Sequence, residues 1–178
     1  IQAADPGFEY QCVTTVTEYD QDFPYTGMPK RTLKMRSSQL LSEATNVLKS
    51  LTTVNGATFP YIDVSNEQSR ALNNTFGTSY TLGYTRSEFD YDTYGNLTAS
   101  RVYLSNSSST TSAANRHYTR TTNTYGSTDM YKRKGRLTGV DVQKSLYQSG
   151  QATKTSYRYT DFTYFGSSQE HPYMLKSE

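Results

Sequence analysis

The chain has no tryptophan, a single cysteine, two histidines and no long apolar run. Each shortage excludes something. One cysteine, Cys12, cannot form an intrachain disulfide, and without a nearby partner it is a poor metal ligand; it reads as a small strand residue. His117 and His171 lie on different segments with no Glu or Cys at metal spacing, which argues against a zinc site and a Cys–His dyad. No apolar stretch approaches the ~20 residues a membrane helix needs. Charge of neither sign dominates: 18 basic against 16 acidic residues leave +2, too little to imply nucleic acid or an anionic membrane as partner. The densest basic run, Lys132-Arg133-Lys134-Gly135-Arg136, reads as a solubilised turn. No phosphate-cradling glycine loop is present.

Aliphatic residues are also scarce. Hydrophobic content is 34%, and 17 tyrosines stand where aliphatics would, among abundant Ser, Thr and Asn. Tyr and Thr suit a pleated, half-wet surface, with the ring packed and the hydroxyl reaching water. The expectation is an all-β chain of long antiparallel strands and hairpins forming a curved, repeat-built sheet with a flat, tyrosine-rich core. Length suggests about one domain. The opening Ile1-Gln2-Ala3-Ala4 has no initiator Met or signal-peptide pattern, so the chain reads as a piece of a longer polypeptide.

Period-2 patterning runs through most of the sequence. Phe8 to Tyr19 is strand-like with an imperfect alternation that suggests a bulge. Tyr19 to Pro29, punctuated by Pro and Gly, is a long turn. Arg31 to Arg36 alternates as a strand. Ser37 to Ser50 is ambiguous: Leu40, Leu41, Ala44, Val47, Leu48 and Leu51 fall at helical spacing, and local reasoning leans to helix over a strand through Leu41 to Val47. Asn55-Gly56 signals a hairpin. Thr58 to Val64 is a strand whose Pro60 belongs at an edge. Polar Ser65 to Asn74 reads as a helical turn or a loop. Thr75 to Thr85 is a strand with a bend or bulge near Gly77 or Gly83. Ser105 to Ala114 is a low-complexity surface loop, and Gln148 to Gln151 a turn before a strand over Thr153 to Tyr164.

One octet recurs. Tyr91-Asp92-Thr93-Tyr94-Gly95-Asn96-Leu97-Thr98 combines an aromatic strand end, a glycine turn and a strand opening Leu-Thr. Tyr125-Gly126 followed by Gly135-Arg136-Leu137-Thr138 repeats it with an insert, and a third copy starts at Phe162-Thr163-Tyr164 and closes at Leu175-Lys176-Ser177. The tyrosines Tyr91, Tyr125 and Tyr164 lie 34 and 39 residues apart, and Gly95 and Gly135 lie 40 apart. Such a period points to stacked units that cannot bury a face alone. Repeat-like units are read at about 8–50, 84–115, 116–148 and 153–178. Gly95 supplies the positive φ of the turn and Asp92 caps its own backbone. Asp90 and Asp92, with Asp20 and Asp22, hint at paired carboxylates or calcium, but a hard-cation site needs six or more oxygens, and turn capping fits better.

The motif Tyr91-Asp92-x-x-Gly95-Asn96-Leu97-Thr98 resembles the YD repeat of Rhs proteins, of the B and C components of insecticidal Tc toxin complexes, and of teneurins. Asp22 to Thr32 looks like a strand–turn segment that precedes those repeats, and Thr121 to Thr124 with Gly135 to Thr138 looks like a later block. The second copy departs by lacking Asp after Tyr125 and by its longer insert; the third lacks both Asp and Gly. The resemblance implies a strand over Leu41 to Val47. It also implies a non-catalytic, secreted or surface-exposed bacterial polypeptide whose strands wind into a shell around a toxin or effector domain. The implied partners are adjacent strands of the parent chain and enclosed cargo, with no cofactor. Open strand edges predict self-association. The rival reading is a surface module that binds carbohydrate or a protein receptor through exposed tyrosines.

Overall fold

The computed structural model describes residues 12–36, 39–72, 79–126, 135–164 and 175–177. They form β1 (Val13–Tyr19), β2 (Pro29–Arg36), β3 (Gln39–Thr52), β4 (Thr58–Leu72), β5 (Ser79–Tyr91), β6 (Leu97–Ser105), β7 (Arg116–Tyr125), β8 (Leu137–Tyr147), β9 (Lys154–Asp161), β10 (Thr163–Tyr164) and β11 (Leu175–Ser177). The first nine make one antiparallel sheet in sequential order, while β10 and β11 pair separately. β1 and β9 are its two edges, so the sheet is not closed into a barrel. The all-β, hairpin-built expectation holds.

Three local readings need correction. The helical spacing of Leu40 to Leu51 is overridden: β3 pairs with β2 on one side and β4 on the other. Two ladders satisfy its backbone groups, and the β-branched Thr45 and Val47 favour the pleat. Residues 65–72, read as a loop or helical turn, are strand: they carry β4 onward and pair with β5. Pro60 sits in an interior strand rather than an edge strand, but it is paired only with Ser50 of β3, because the β4–β5 ladder begins at Val64. The missing N–H of Pro60 therefore interrupts no ladder on that second side. The bulge expected near Gly83 is present, since Ser69 faces Gly83 and Arg70 faces Thr81, leaving Leu82 extra. Residues 8–11 and 75–78 of two predicted strands lie outside the described residues.

The sheet is one layer. Among the described residues only Ala99 and Ala113 are buried apolar residues, and no large side chain is fully buried. The chain exposes 12355 Å², where a compact monomer of its mass exposes about 8,700 Å². Cohesion comes from ladders and from contacts lying along the surface. Arg31 bridges Glu18 (3.6 Å) and Glu43 (2.8 Å), Lys49 meets Asp63 (2.9 Å) and Arg101 meets Asp90 (2.6 Å). Such exposed pairs contribute about 0–1 kcal/mol each. Tyr103 and Tyr118 pack across strands with ring centroids 4.9 Å apart. The 106–115 loop is anchored to the sheet: Arg116 donates to the Ala113 carbonyl (2.8 Å), Ser105 donates to that of Asn115 (3.3 Å), and Thr110 and Ala113 are buried.

Candidate functional site

The recurring motif builds a row of turns along one end of the sheet. In the first copy the Asp92 amide donates to the Asn96 carbonyl (3.0 Å) and the Gly95 amide to the Asp92 carbonyl (3.0 Å). The Asp92 carboxylate accepts from the amides of Tyr94 (2.8 Å) and Asn96 (2.9 Å) and from the Asn96 side chain (2.9 Å). Gly95 has φ +83°, a left-handed conformation that disfavours any Cβ. Burial raises the Asp92 pKa, but hydrogen bonds from Asn96, Tyr94 and Gly95 outweigh it and hold the carboxyl below its ordinary value. Burial pushes the Tyr91 phenol up, with Tyr61 adding to it; Tyr91 sits against Phe59 (5.3 Å) and Tyr61 (4.8 Å).

Beyond the turn, Tyr91 faces Leu97 while Asp90 faces Ala99, so Thr98 is the extra residue of a bulge. Its hydroxyl donates to the Asp90 carbonyl (3.1 Å). The second copy repeats this. Tyr125 faces Leu137 and Thr124 faces Gly139; Thr138 is extra, and its hydroxyl donates to the Thr124 carbonyl (3.1 Å). The Gly126 amide donates to the Arg136 carbonyl (3.0 Å), as Asp92 does to Asn96. In the third copy Tyr164 faces Leu175 and Thr163 faces Ser177, leaving Lys176 extra. The first hairpin conforms too: Tyr19 faces Pro29 and Glu18 faces Arg31, with Lys30 extra.

The kinship of one turn escaped sequence reading. Asn55-Gly56 marks a hairpin, but the whole loop copies the Asp92 turn. The Thr53 amide donates to the Ala57 carbonyl (2.8 Å), the Gly56 amide to the Thr53 carbonyl (2.8 Å), and the Ala57 amide to the Thr53 hydroxyl (3.1 Å). Gly56 has φ +77°. Thr53 replaces Asp92 and Ala57 replaces Asn96, which hides the kinship. The hairpin β3–β4 falls across the boundary of the unit read over 8–50. Tyr19, Thr52, Tyr91, Tyr125 and Tyr164 then lie 33, 39, 34 and 39 residues apart.

Neighbouring copies are tied at the first carbonyl of three return strands, those of Pro29, Leu97 and Leu137. The Leu97 carbonyl accepts from Asn123 Nδ2 (2.9 Å) and the Tyr125 hydroxyl (2.9 Å), both on the next hairpin. That of Leu137 accepts from the Tyr164 hydroxyl (2.7 Å), and that of Pro29 from Asn46 Nδ2 (2.9 Å). The Arg136 guanidinium lies over the Tyr164 ring, 4.6 Å from its centroid. Val54 donates to the Thr93 carbonyl (2.9 Å), joining two turns directly.

All the predicted motif residues are therefore in the row, with one change of role. Gly135 aligns with Gly95 but lacks the positive φ; a Cβ there would sit 3.2 Å from Asn96 Oδ1, so its smallness accommodates the preceding copy. Asp90 and Asp92 do not act as a pair, since Asp90 binds Arg101 while Asp92 caps the turn. Asp20 likewise receives the Asp22 amide (2.9 Å). Among the described residues no group of three His, Cys, Asp or Glu gathers as a metal cluster. Cys12 is exposed before β1 and His117 lies on β7; His171 and Lys132 to Lys134 lie outside the described residues. The polar groups of the turns are spent on backbone, which suits them to hold strands in place. Neither the protein-family models nor the curated proteins compared with this sequence match it.

Proposed function

We propose that this chain is a non-catalytic wall segment of a secreted or surface-exposed bacterial polypeptide of the Rhs/YD-repeat kind, contributing hairpins to a shell around a toxin or effector domain. One observation carries the reading: bulged tyrosine hairpins recur along one rim, and those of Tyr125 and Tyr164 each bond the carbonyl that opens the preceding return strand. That is a propagating contact, suited to a sheet extended hairpin by hairpin. The single layer and the open edges β1 and β9 favour the same reading, because a one-layer sheet leaves both faces to be covered by something else.

The test is the structure of the full polypeptide encoded by the gene, determined by electron microscopy. The expected result is further hairpins paired outside β1 and β9, with the sheet closing around a protected domain. A stable, uncovered sheet with both edges free in the full polypeptide would overturn the proposal.

A further inference from the structure

The two faces of the sheet differ in charge. Cross-strand register sorts the side chains of β5–β9 between the bulges. Glu88, Asp90, Asp141 and Asp161 all fall on one face, together with Arg86, Arg101, Arg116 and Arg120. On that face charges are matched locally: Arg86 meets Glu88 at 2.8 Å and Arg101 meets Asp90 at 2.6 Å, while Arg116 stacks 3.9 Å over Tyr147. The opposite face of the same strands carries Lys144, Lys154 and Arg158 and no carboxylate. These three cations are exposed, and none has an ion-pair partner among the described residues.

The cationic face is also grooved. Thr85, Leu104, His117, Leu146 and Lys154 form one continuous cross-strand row. The row lines two grooves of about 490 and 330 Å³, which share His117 and Leu146. Leu104 is 46% exposed and Leu82, beside the same groove, is 59% exposed. Leu82, Leu104 and Leu146 thus run along the trough from one side, and Lys154, with Lys144 beside it, closes the other.

We propose that this trough binds an acidic polypeptide segment bearing apolar side chains. Carboxylates would meet Lys144 and Lys154 in the trough, with Arg158 further along β9 on the same face, while apolar side chains cover Leu82, Leu104 and Leu146. A nucleic acid suits it less: three spaced cations fall short of the roughly 6–10 phosphate contacts of strong binding, and the trough lacks stacking platforms, since Tyr103, Tyr118, Tyr147, Tyr157 and Tyr159 occupy the other face while Phe89, Tyr91 and Tyr125 lie outside both grooves. A second copy presenting this same face would bring like charges together. The inference rests on the sorting of charge between faces and holds whether or not the sheet belongs to a shell.

The probe is a short fluorescent peptide alternating glutamate and leucine, titrated by anisotropy, with a lysine–leucine peptide and a single-stranded DNA oligonucleotide alongside. The glutamate peptide should bind, weaken with salt, and lose at least about tenfold in affinity in Lys144→Glu/Lys154→Glu. Arg120→Glu, on the opposite face, should bind as the parent does. Circular dichroism checks the fold, and Lys144→Gln/Lys154→Gln serves if the charge-reversed variant does not fold. Absence of peptide binding, equal binding of the lysine peptide, preference for DNA, or unchanged affinity in the lysine variants would each overturn the proposal, as would self-association through this face in its place.

Discussion

The hydroxyl of Tyr125 donates a 2.9 Å hydrogen bond to the carbonyl of Leu97, the residue that opens the return strand of the preceding hairpin. Asn123 reaches the same oxygen from two residues upstream, also at 2.9 Å. Two side chains of one hairpin thus converge on one backbone atom of another. Because the β6–β7 ladder stops at Ala99, opposite Thr122, that carbonyl finds side chains rather than an amide on the β7 side.

The shared acceptor predicts non-additivity. Tyr125→Phe should cost about 0.5–1.5 kcal/mol in urea denaturation, since Asn123 still serves Leu97. Asn123→Ala should cost a similar amount. The double variant should lose more than the sum of the two, because only then is the carbonyl stripped of both donors. Simple addition would show that the two bonds act independently.

At Gly95 the conformation, not the space, is limiting. A Cβ would lie 3.7 Å from Phe59, an ordinary contact, while φ is +83°. Gly95→Ala should therefore lose about 1–2 kcal/mol, Gly95→Val more, and Gly95→Asn less, since Asn tolerates the left-handed region best. Melting temperatures that do not follow this order would refute the backbone explanation.

Asp92 predicts a pH dependence. Its folded pKa is lowered, so its contribution is complete above the unfolded carboxylate value of about 3.9 and is lost as pH falls through the lower folded value. Asp92→Asn should be less stable than the parent by about 1 kcal/mol at neutral pH, and the gap should narrow in acid below that range. Parallel stability curves for the two proteins down to pH 3 would contradict the assignment.

Thr53 offers the converse experiment. Its turn has the same backbone bonds as the Asp92 turn but one fewer side-chain acceptor. Thr53→Asp with Ala57→Asn should stabilise the protein by about 0.5–1 kcal/mol at neutral pH, and the gain should vanish in acid. Destabilisation would mean that the two turns are less alike than their hydrogen bonds suggest.

The edges β1 and β9 are almost wholly exposed, with Tyr157 and Tyr159 at 70% and 63%. The isolated chain should self-associate as concentration rises, and Tyr157→Lys/Tyr159→Lys should shift sedimentation profiles towards monomer. Monomeric sedimentation of the parent at high concentration would count against open-edge pairing.

Much of this architecture was legible in the sequence. The Tyr91–Thr98 octet, the Tyr125 and Tyr164 copies, the bulge near Gly83 and the Asn55-Gly56 hairpin all carry local signals. The failures share a physical cause. A one-layer sheet is wet on both sides, so its strands need no apolar face, and residues 65–72 looked like loop because 65–70 are all polar. For the same reason the leucines of 39–52 could fall at helical spacing by coincidence. The kinship of the Thr53 turn with the Asp92 turn was hidden because a hydroxyl does the work of a carboxylate. The inter-hairpin bonds involve carbonyl oxygens, which every residue carries, so nothing in the sequence marks their partners.

The bulges at Lys30, Thr98, Thr138 and Lys176 all stand just after the residue that opens a return strand. A strand that slid along its partner would carry the bulge with it and withdraw the carbonyl from the next hairpin's hydroxyl or amide. Slippage is the characteristic error of polar, two-sided strands. Here a misaligned hairpin opening at Pro29, Leu97 or Leu137 forfeits a bond to its successor as well as its own, so the successor proofreads its alignment.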